Sequence, residues 1–372
     1  LPLPFPYEGL PVLQSLSLLP LLGIFAVAAV AIWVAGVQLS NTTDILSQRF
    51  GLGQALGGVI LLAIATNLPE IAITASAAAS NNLGVAVGNI LGGIGIQTLV
   101  LVALDAFGMR EKVPLTYKAA SLTLVIEGLL VVAVLIIAIM GTQLPASLIA
   151  FRIGPDALAI ALIWVLGVWL IGRANKGLPW HEGTGDAPDA QAAPKGHSQA
   201  KTEQKATNKG HSTTRTVIVF LVAAVVTLVA GVVLERAGDG IADHIGMSGV
   251  LFGATVLAAA TSLPELSTGL TSTRAGDYQL AISDIFGGNA FLPVLFLLAT
   301  LISGRAVLPQ AQDVDIYLAG LAVLLTSVYL AGLIFRPKRR IIGMGVDSLA
   351  VLVLYAIGTA GLFAIALSGN HG

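Results

Sequence analysis

Two short segments, Ala65-Thr66-Asn67-Leu68-Pro69-Glu70 and Ala260-Thr261-Ser262-Leu263-Pro264-Glu265, each place a glutamate directly after a proline in the middle of a long apolar run. Proline removes a helical hydrogen bond and clashes with the preceding turn. Each run is therefore expected to be two half-helices meeting near Thr66 to Pro69 and Thr261 to Pro264, with backbone carbonyls freed as ligands. The second half-helix points its positive end at the level of Glu70 or Glu265, where it favours a carboxylate. A purely structural reading is available, since Asn67-x-x-Glu70 and Ser262-x-x-Glu265 have capping-box spacing. Against it, a charged side chain at mid-membrane costs at least ~2.5 kcal/mol and marks an ion pathway.

Two carboxylates converging in a low-dielectric site repel when empty, and one divalent cation, or protons or sodium ions, would neutralise them. That requirement is a basis for exchange of one ion against another. The donor set is all oxygen: Glu70, Glu265, the hydroxyls of Thr66, Thr261 and Ser262, the amide of Asn67, and freed carbonyls. Such a set suits a hard cation, and calcium accepts six to eight oxygens in irregular geometry more readily than magnesium accepts a dehydrated octahedron. No histidine lies near, and the chain has no cysteine, which argues against zinc and copper.

A second tier of polar residues follows in GNILGGIGIQ, with Asn89, Gly93 and Gln97, and in SDIFGGNAFL, with Asp284, Gly288 and Leu292. Spacing of four puts each trio on one helical face, and the glycines suit close helix approach in a membrane. Asn89, Gln97 and Asp284 are candidate ligands or, equally, groups that bond a neighbouring helix. Glu127 lies in another apolar run as a proton relay, a helix–helix bond or a residue near a boundary. Asp44 and Asp239 are expected in paired loops, at helix caps.

The elements that must position these residues are membrane spans. Hydrophobic residues make up 56% of the chain and charged residues 10%, far below the roughly 25% charged of a soluble domain. Runs long enough to cross a bilayer, about 20 residues each, recur near 19–39, 55–79, 84–107, 119–140, 156–172, 216–235, 250–273, 279–304, 315–335 and 345–368. The segment 174–214, rich in Ala, Gly, Lys, Gln, Thr and Pro, has no apolar periodicity and reads as a flexible linker. A net charge of −1 gives no reason to expect nucleic acid. The expected partners are membrane lipids and inorganic cations, and no cofactor or enzymatic motif such as HExxH is present.

A constant offset of 195 aligns the halves without a gap from about Val34 to Leu99. It pairs Gly36 with Gly231, Asp44 with Asp239, Thr66 with Thr261, Pro69 with Pro264, Glu70 with Glu265, and Gly92-Gly93 with Gly287-Gly288. Five spans in each half invert the second relative to the first, a recurring plan for secondary transporters with the site at the repeat interface. The expected fold is thus all-α integral membrane: ten transmembrane helices in two inverted-topology five-helix repeats, 1–173 and 215–372, each with a broken second helix. Lys and Arg are lopsided, with only Arg152, Arg236 and Arg305 of the 19 on the side shared by both termini. The positive-inside rule then puts the termini outside the cytoplasm and the central loop inside it.

With paired LPE clusters, GG-flanked third spans and inverted five-span halves, the sequence resembles the calcium/cation antiporter superfamily, specifically the membrane region of sodium/calcium exchangers. The resemblance covers nearly the whole chain except the linker. It implies that about 55–107 and 250–304 are the two alpha repeats, that Glu70 and Glu265 are central ion ligands, and that Thr66 and Thr261 match ligand positions. The chain departs from the family pattern at Ala65 and Ala260, where glycine is usual, and at Asn67, where serine is common. Gly93, Gln97, Gly288 and Leu292 stand where the family has hydroxyl and acid or amide ligands. With fewer oxygens, binding of three sodium ions is not expected, and the two glutamates can instead carry protons. The functional expectation is antiport of Ca2+ or a related hard cation against Na+ or H+. A passive cation channel is the alternative, and the central loop is too short and acid-poor for a calcium-sensing domain.

Overall fold

The computed structural model describes residues 16–49, 61–174 and 212–369. It is helical almost throughout. Helix α1 (Leu18–Arg49) is followed by α2 (Leu61–Thr66), α3 (Leu68–Ala79), α4 (Leu83–Gly108, ending in a π-turn from Leu104), α5 (Leu115–Ala119), α6 (Leu122–Gly141) and α7 (Pro155–Ala174). Helices α8 (Thr213–Ile245), α9 (Gly249–Thr261), α10 (Leu263–Arg274), α11 (Tyr278–Ser303), α12 (Asp313–Phe335) and α13 (Val346–Gly369) make up the rest. A two-stranded hairpin, β1 (Arg340–Ile341) and β2 (Met344–Gly345), joins α12 to α13.

Among the described residues, eight helices are long and apolar enough to cross a membrane, and the bent pair α9–α10 makes a ninth. The run near 55–79 is described only from Leu61, as α2 and α3, and the opening arm and most of the 174–214 linker lie outside the described residues. Large apolar side chains are exposed on several of these helices, among them Leu19, Val27, Leu162, Val225, Val229 and Ile357. In water such a surface would be prohibitive; against lipid it costs nothing. This is a polytopic integral membrane protein.

The polar clusters break the helices where proline dictates. Asn67 and Ser262 leave regular helical geometry (φ −88°, ψ 14° and φ −83°, ψ 2°), and Pro69 and Pro264 fall in the first turn of α3 and α10. Proline is tolerated there because the missing N–H would have no helical partner. The bend between α9 and α10 is 42°.

Helix α1 lies along α8, and both pack on the broken helices. The contacts are reciprocal under the 195 offset. A Cβ on Gly36 of α1 would stand 2.6 Å from Cβ and Cγ of Pro264, and one on Gly231 of α8 would stand 2.8 Å from Cβ of Ala72 and 3.1 Å from the carbonyl of Pro69. Each first helix thus needs glycine to seat on the proline break of the other half. Helix α4 meets α9 more closely still: a side chain on Gly88 or Gly92 would collide with the backbone of Val250 or Ala254. The closest approach therefore belongs to Gly88 and Gly92 and not to Gly93, which lies about 100° around the helix from Gly92 and meets only Leu292, at 3.4 Å.

Two sequence expectations change. Helices α1 and α8 run on for 32 and 33 residues, so Asp44 and Asp239 sit inside helices and not in loops. The apolar run had marked only the stretch that needs lipid; the helices continue past it on polar residues. Helix α8 stops where Gly246 adopts a left-handed φ of 68°, the conformation that glycine supplies at a helix C-terminus.

Candidate cation-binding site

Glu70 and Glu265 stand in the first turns of α3 and α10, where both half-helices present unpaired N–H groups. Both are inside the protein and not on its lipid face, at 0% and 2% exposure. Neither oxygen of either carboxylate has a hydrogen-bond partner. Thr261 lies beside Glu70, yet its hydroxyl donates at 3.2 Å to the carbonyl of Ala258, to which Ser262 also donates at 2.8 Å. The charged groups acting on Glu265 are Glu70 and Asp284. Three acidic side chains, contributed by α3, α10 and α11, therefore share one buried region. The ion pairs Lys118–Glu111 and Arg236–Glu235 involve other residues.

The capping reading fails. Neither Asn67 nor Ser262 caps the following helix with its side chain. A complete capping box does form elsewhere, between Gln312 and Asp315, so spacing alone did not distinguish the two cases. What differs is position: Gln312 precedes a span, whereas Asn67 and Ser262 interrupt one.

Asn67 instead faces α4. Its Oδ1 accepts a long hydrogen bond from Nε2 of Gln97 at 3.5 Å, and Oε1 of Gln97 has no partner. Both side chains lie over Gly288 of α11, whose Cβ, if present, would be 3.0 Å from Nδ2 of Asn67 and 3.3 Å from Oε1 of Gln97. Asp284, 9% exposed, accepts from the hydroxyl of Thr268 at 3.3 Å. Asn89 is fully buried with neither Oδ1 nor Nδ2 hydrogen-bonded, and Thr66 is buried at the break. A hydrogen bond thus joins Asn67 to Gln97, Thr261 lies beside Glu70, and Glu265 lies near both Glu70 and Asp284. These contacts do not extend to Asn89, whose side-chain oxygen and nitrogen both lack partners.

Sequence reasoning missed Thr268. It lies three residues after Glu265 on the same helical face, and that spacing was the available signal. It also left Glu127 open; that residue is 3% exposed and faces Ser283, the neighbour of Asp284. On α4 and α11, Asn289 donates to the hydroxyl of Thr98 at 3.2 Å and to the carbonyl of Ile94 at 3.5 Å. Ile94 and Asn289 are themselves equivalent under the 195 offset, so the two third spans cross where the halves meet.

The chain is similar to known proteins over most of its length. The family model described as sodium/calcium exchanger protein matches residues 20–173 and 215–368. The inner membrane protein YrbG of Escherichia coli is 26% identical over 301 residues, covering 80% of this chain and 84% of its own length. Among solved structures, an H+/Ca2+ exchanger CAX superposes with a TM-score of 0.61 at 14% identity, covering 94% of this chain and 87% of that one. The sodium-calcium exchanger NCX_Mj, soaked with Na+ and Sr2+, gives 0.59 at 16% identity, covering 92% and 99%. At these identities the two structures speak for the fold.

Proposed function

Since the chain belongs to the sodium/calcium exchanger protein family, we propose that it is a secondary active antiporter that moves Ca2+, or a related hard cation, against Na+ or H+ by alternating access. One observation carries the reading: Glu70 and Glu265, from opposite halves of the chain, are buried together with no hydrogen-bond partner for any of their four carboxylate oxygens. Two such charges repel strongly where the dielectric is low. A divalent cation between them, or a pair of monovalent ones, removes that repulsion, so the empty site is the costly state. A carrier whose empty form is penalised returns loaded with a counter-ion, which is the requirement for exchange.

The ion set is Glu70 and Glu265 with Asp284, the polar groups of Thr66, Asn67, Ser262, Thr261 and Gln97, and Asn89 as an outer member. Two inverted five-helix repeats, ten spans in all, supply the two equivalent conformations. The reciprocal seating of Gly36 on Pro264 and of Gly231 on Pro69 supports that plan. The distribution of Lys and Arg supports termini outside the cytoplasm.

Reconstitution tests the reading. In vesicles with an imposed sodium or proton gradient and calcium at equal concentration on both sides, uphill calcium movement is expected. Movement only down the calcium gradient would indicate a channel.

A further inference from the structure

The end of α4 and the start of α13 bring together two buried carboxylates that the transport site does not use. Asp105 lies in the π-turn that closes α4, and Asp347 in the first turn of α13. They are 242 residues apart in sequence and are 0% and 6% exposed. A Cβ on Gly345 would meet Oδ1 of Asp347 and stand 3.1 Å from Oδ2 of Asp105, so both oxygens border the same glycine.

Much of Asp105 is explained by structure alone. Its Oδ1 accepts from the backbone N–H of Leu115 at 2.8 Å and its Oδ2 from that of Gly345 at 2.6 Å. Asp347 is different. Its Oδ2 accepts from the hydroxyl of Thr116 at 2.5 Å, but its Oδ1 has no hydrogen-bond partner. Among the described residues neither carboxylate forms an ion pair. The guanidinium of Arg340 closes over the hairpin, yet it donates to the carbonyls of Asp105, Glu111 and Gly343. Two buried acids side by side, one with an oxygen left without a partner, are unfavourable while both are charged, and a proton or a cation relieves them.

We propose that Asp105 and Asp347, with the hydroxyl of Thr116, form a second cation site for a hard divalent ion such as calcium, separate from the Glu70–Glu265 pair. The remaining lone pairs on both carboxylates and the Thr116 hydroxyl form an all-oxygen set, and the hydroxyls of Tyr329 and Ser348, bonded to each other at 3.2 Å, lie alongside. Such a set suits calcium more than a transition metal. An ion there would cross-link α4, the Pro114–Thr116 turn, the β-hairpin and α13. It would stiffen the end of the helix that carries Gln97.

The test is calcium binding by equilibrium dialysis to the purified full chain in detergent, with Glu70→Gln and Glu265→Gln combined to remove the transport site. Binding of a single calcium ion is expected to persist in that background and to weaken at least tenfold when Asp347→Asn is added. No binding in the double variant, or binding untouched by Asp347→Asn, overturns the proposal. If Asp347→Asn does not yield monodisperse protein, Thr116→Val decides: several-fold weaker binding supports the site and unchanged binding overturns it. Transport is not read, so a negative result leaves the antiport reading standing.

Discussion

Gly288 of α11 makes room for Gln97 of α4: a side chain on the glycine would begin 3.3 Å from Oε1 of Gln97 and 3.0 Å from Nδ2 of Asn67. Under the 195 offset the same relation pairs Gly93 with Leu292, at 3.4 Å. One half therefore offers an amide where the other offers a hydrocarbon, and the two sides of the candidate site differ in polarity although the backbones are equivalent.

Gly288→Val should consequently push Asn67 and Gln97 off their present positions. The hydrogen bond between them is already long at 3.5 Å. Losing it and misplacing two buried amides is expected to cost on the order of 1–3 kcal/mol, read as about a tenfold or greater rise in the calcium concentration for half-maximal uptake. Uptake with unchanged concentration dependence would remove Gln97 and Asn67 from the ion set.

The two first helices make a prediction about assembly. A Cβ on Gly36 would be 2.6 Å from Pro264, and one on Gly231 would be 2.8 Å from Ala72. Gly36→Val and Gly231→Val should each destabilise the protein by about 1–3 kcal/mol through overpacking, seen as a lower unfolding temperature in detergent. Because each glycine seats its helix against the proline break of the other half, both variants should be destabilised. Gly320, with nothing within 4 Å of its Cβ position, serves as the control, and Gly320→Ala should be neutral.

A third prediction concerns how α3 is held. The hydroxyl of Ser76 donates at 2.8 Å to Oε2 of Glu235, which is 1% exposed and also paired with Arg236 at 3.3 Å. Asn82 donates at 2.7 Å to Asp239 one turn further on. Ser76→Ala leaves Glu235 with less support in a buried place and should cost about 1–3 kcal/mol. Ser76→Thr, which keeps the hydroxyl, should recover most of that loss. Equal thermal stability of the Ala and Thr variants would show that the hydroxyl is not what ties α3 to α8.

Much of this architecture is legible in the sequence for specific reasons. Pro69 and Pro264 announce the breaks because proline inside a helix removes a hydrogen bond and clashes with the preceding turn, and the 195 offset announces the repeat because the same breaks recur with their glutamates. The length of α1 and α8 is not legible from hydropathy, since Asp44, Asp239 and Asp243 extend helices beyond the part that needs lipid. Nor is the choice of close-packing glycine: Gly92 and Gly93 are adjacent in sequence, and only the orientation of α4 against α9 selects the first. The pairing of Asp105 with Asp347 was invisible because it depends on chain closure between distant segments. Asn67 and Ser262 show the converse limit, where a capping-box spacing was present and no cap formed.

The account rests on Glu70 and Glu265 being discharged by the transported ions. Its most direct test is calcium uptake into vesicles driven by an outward sodium or proton gradient, compared between the parent chain, Glu70→Gln and Glu265→Gln at matched protein content. The parent should accumulate calcium against its gradient, and each single variant should lose that accumulation, to background, while inserting normally. Undiminished uphill uptake by both variants would contradict the account.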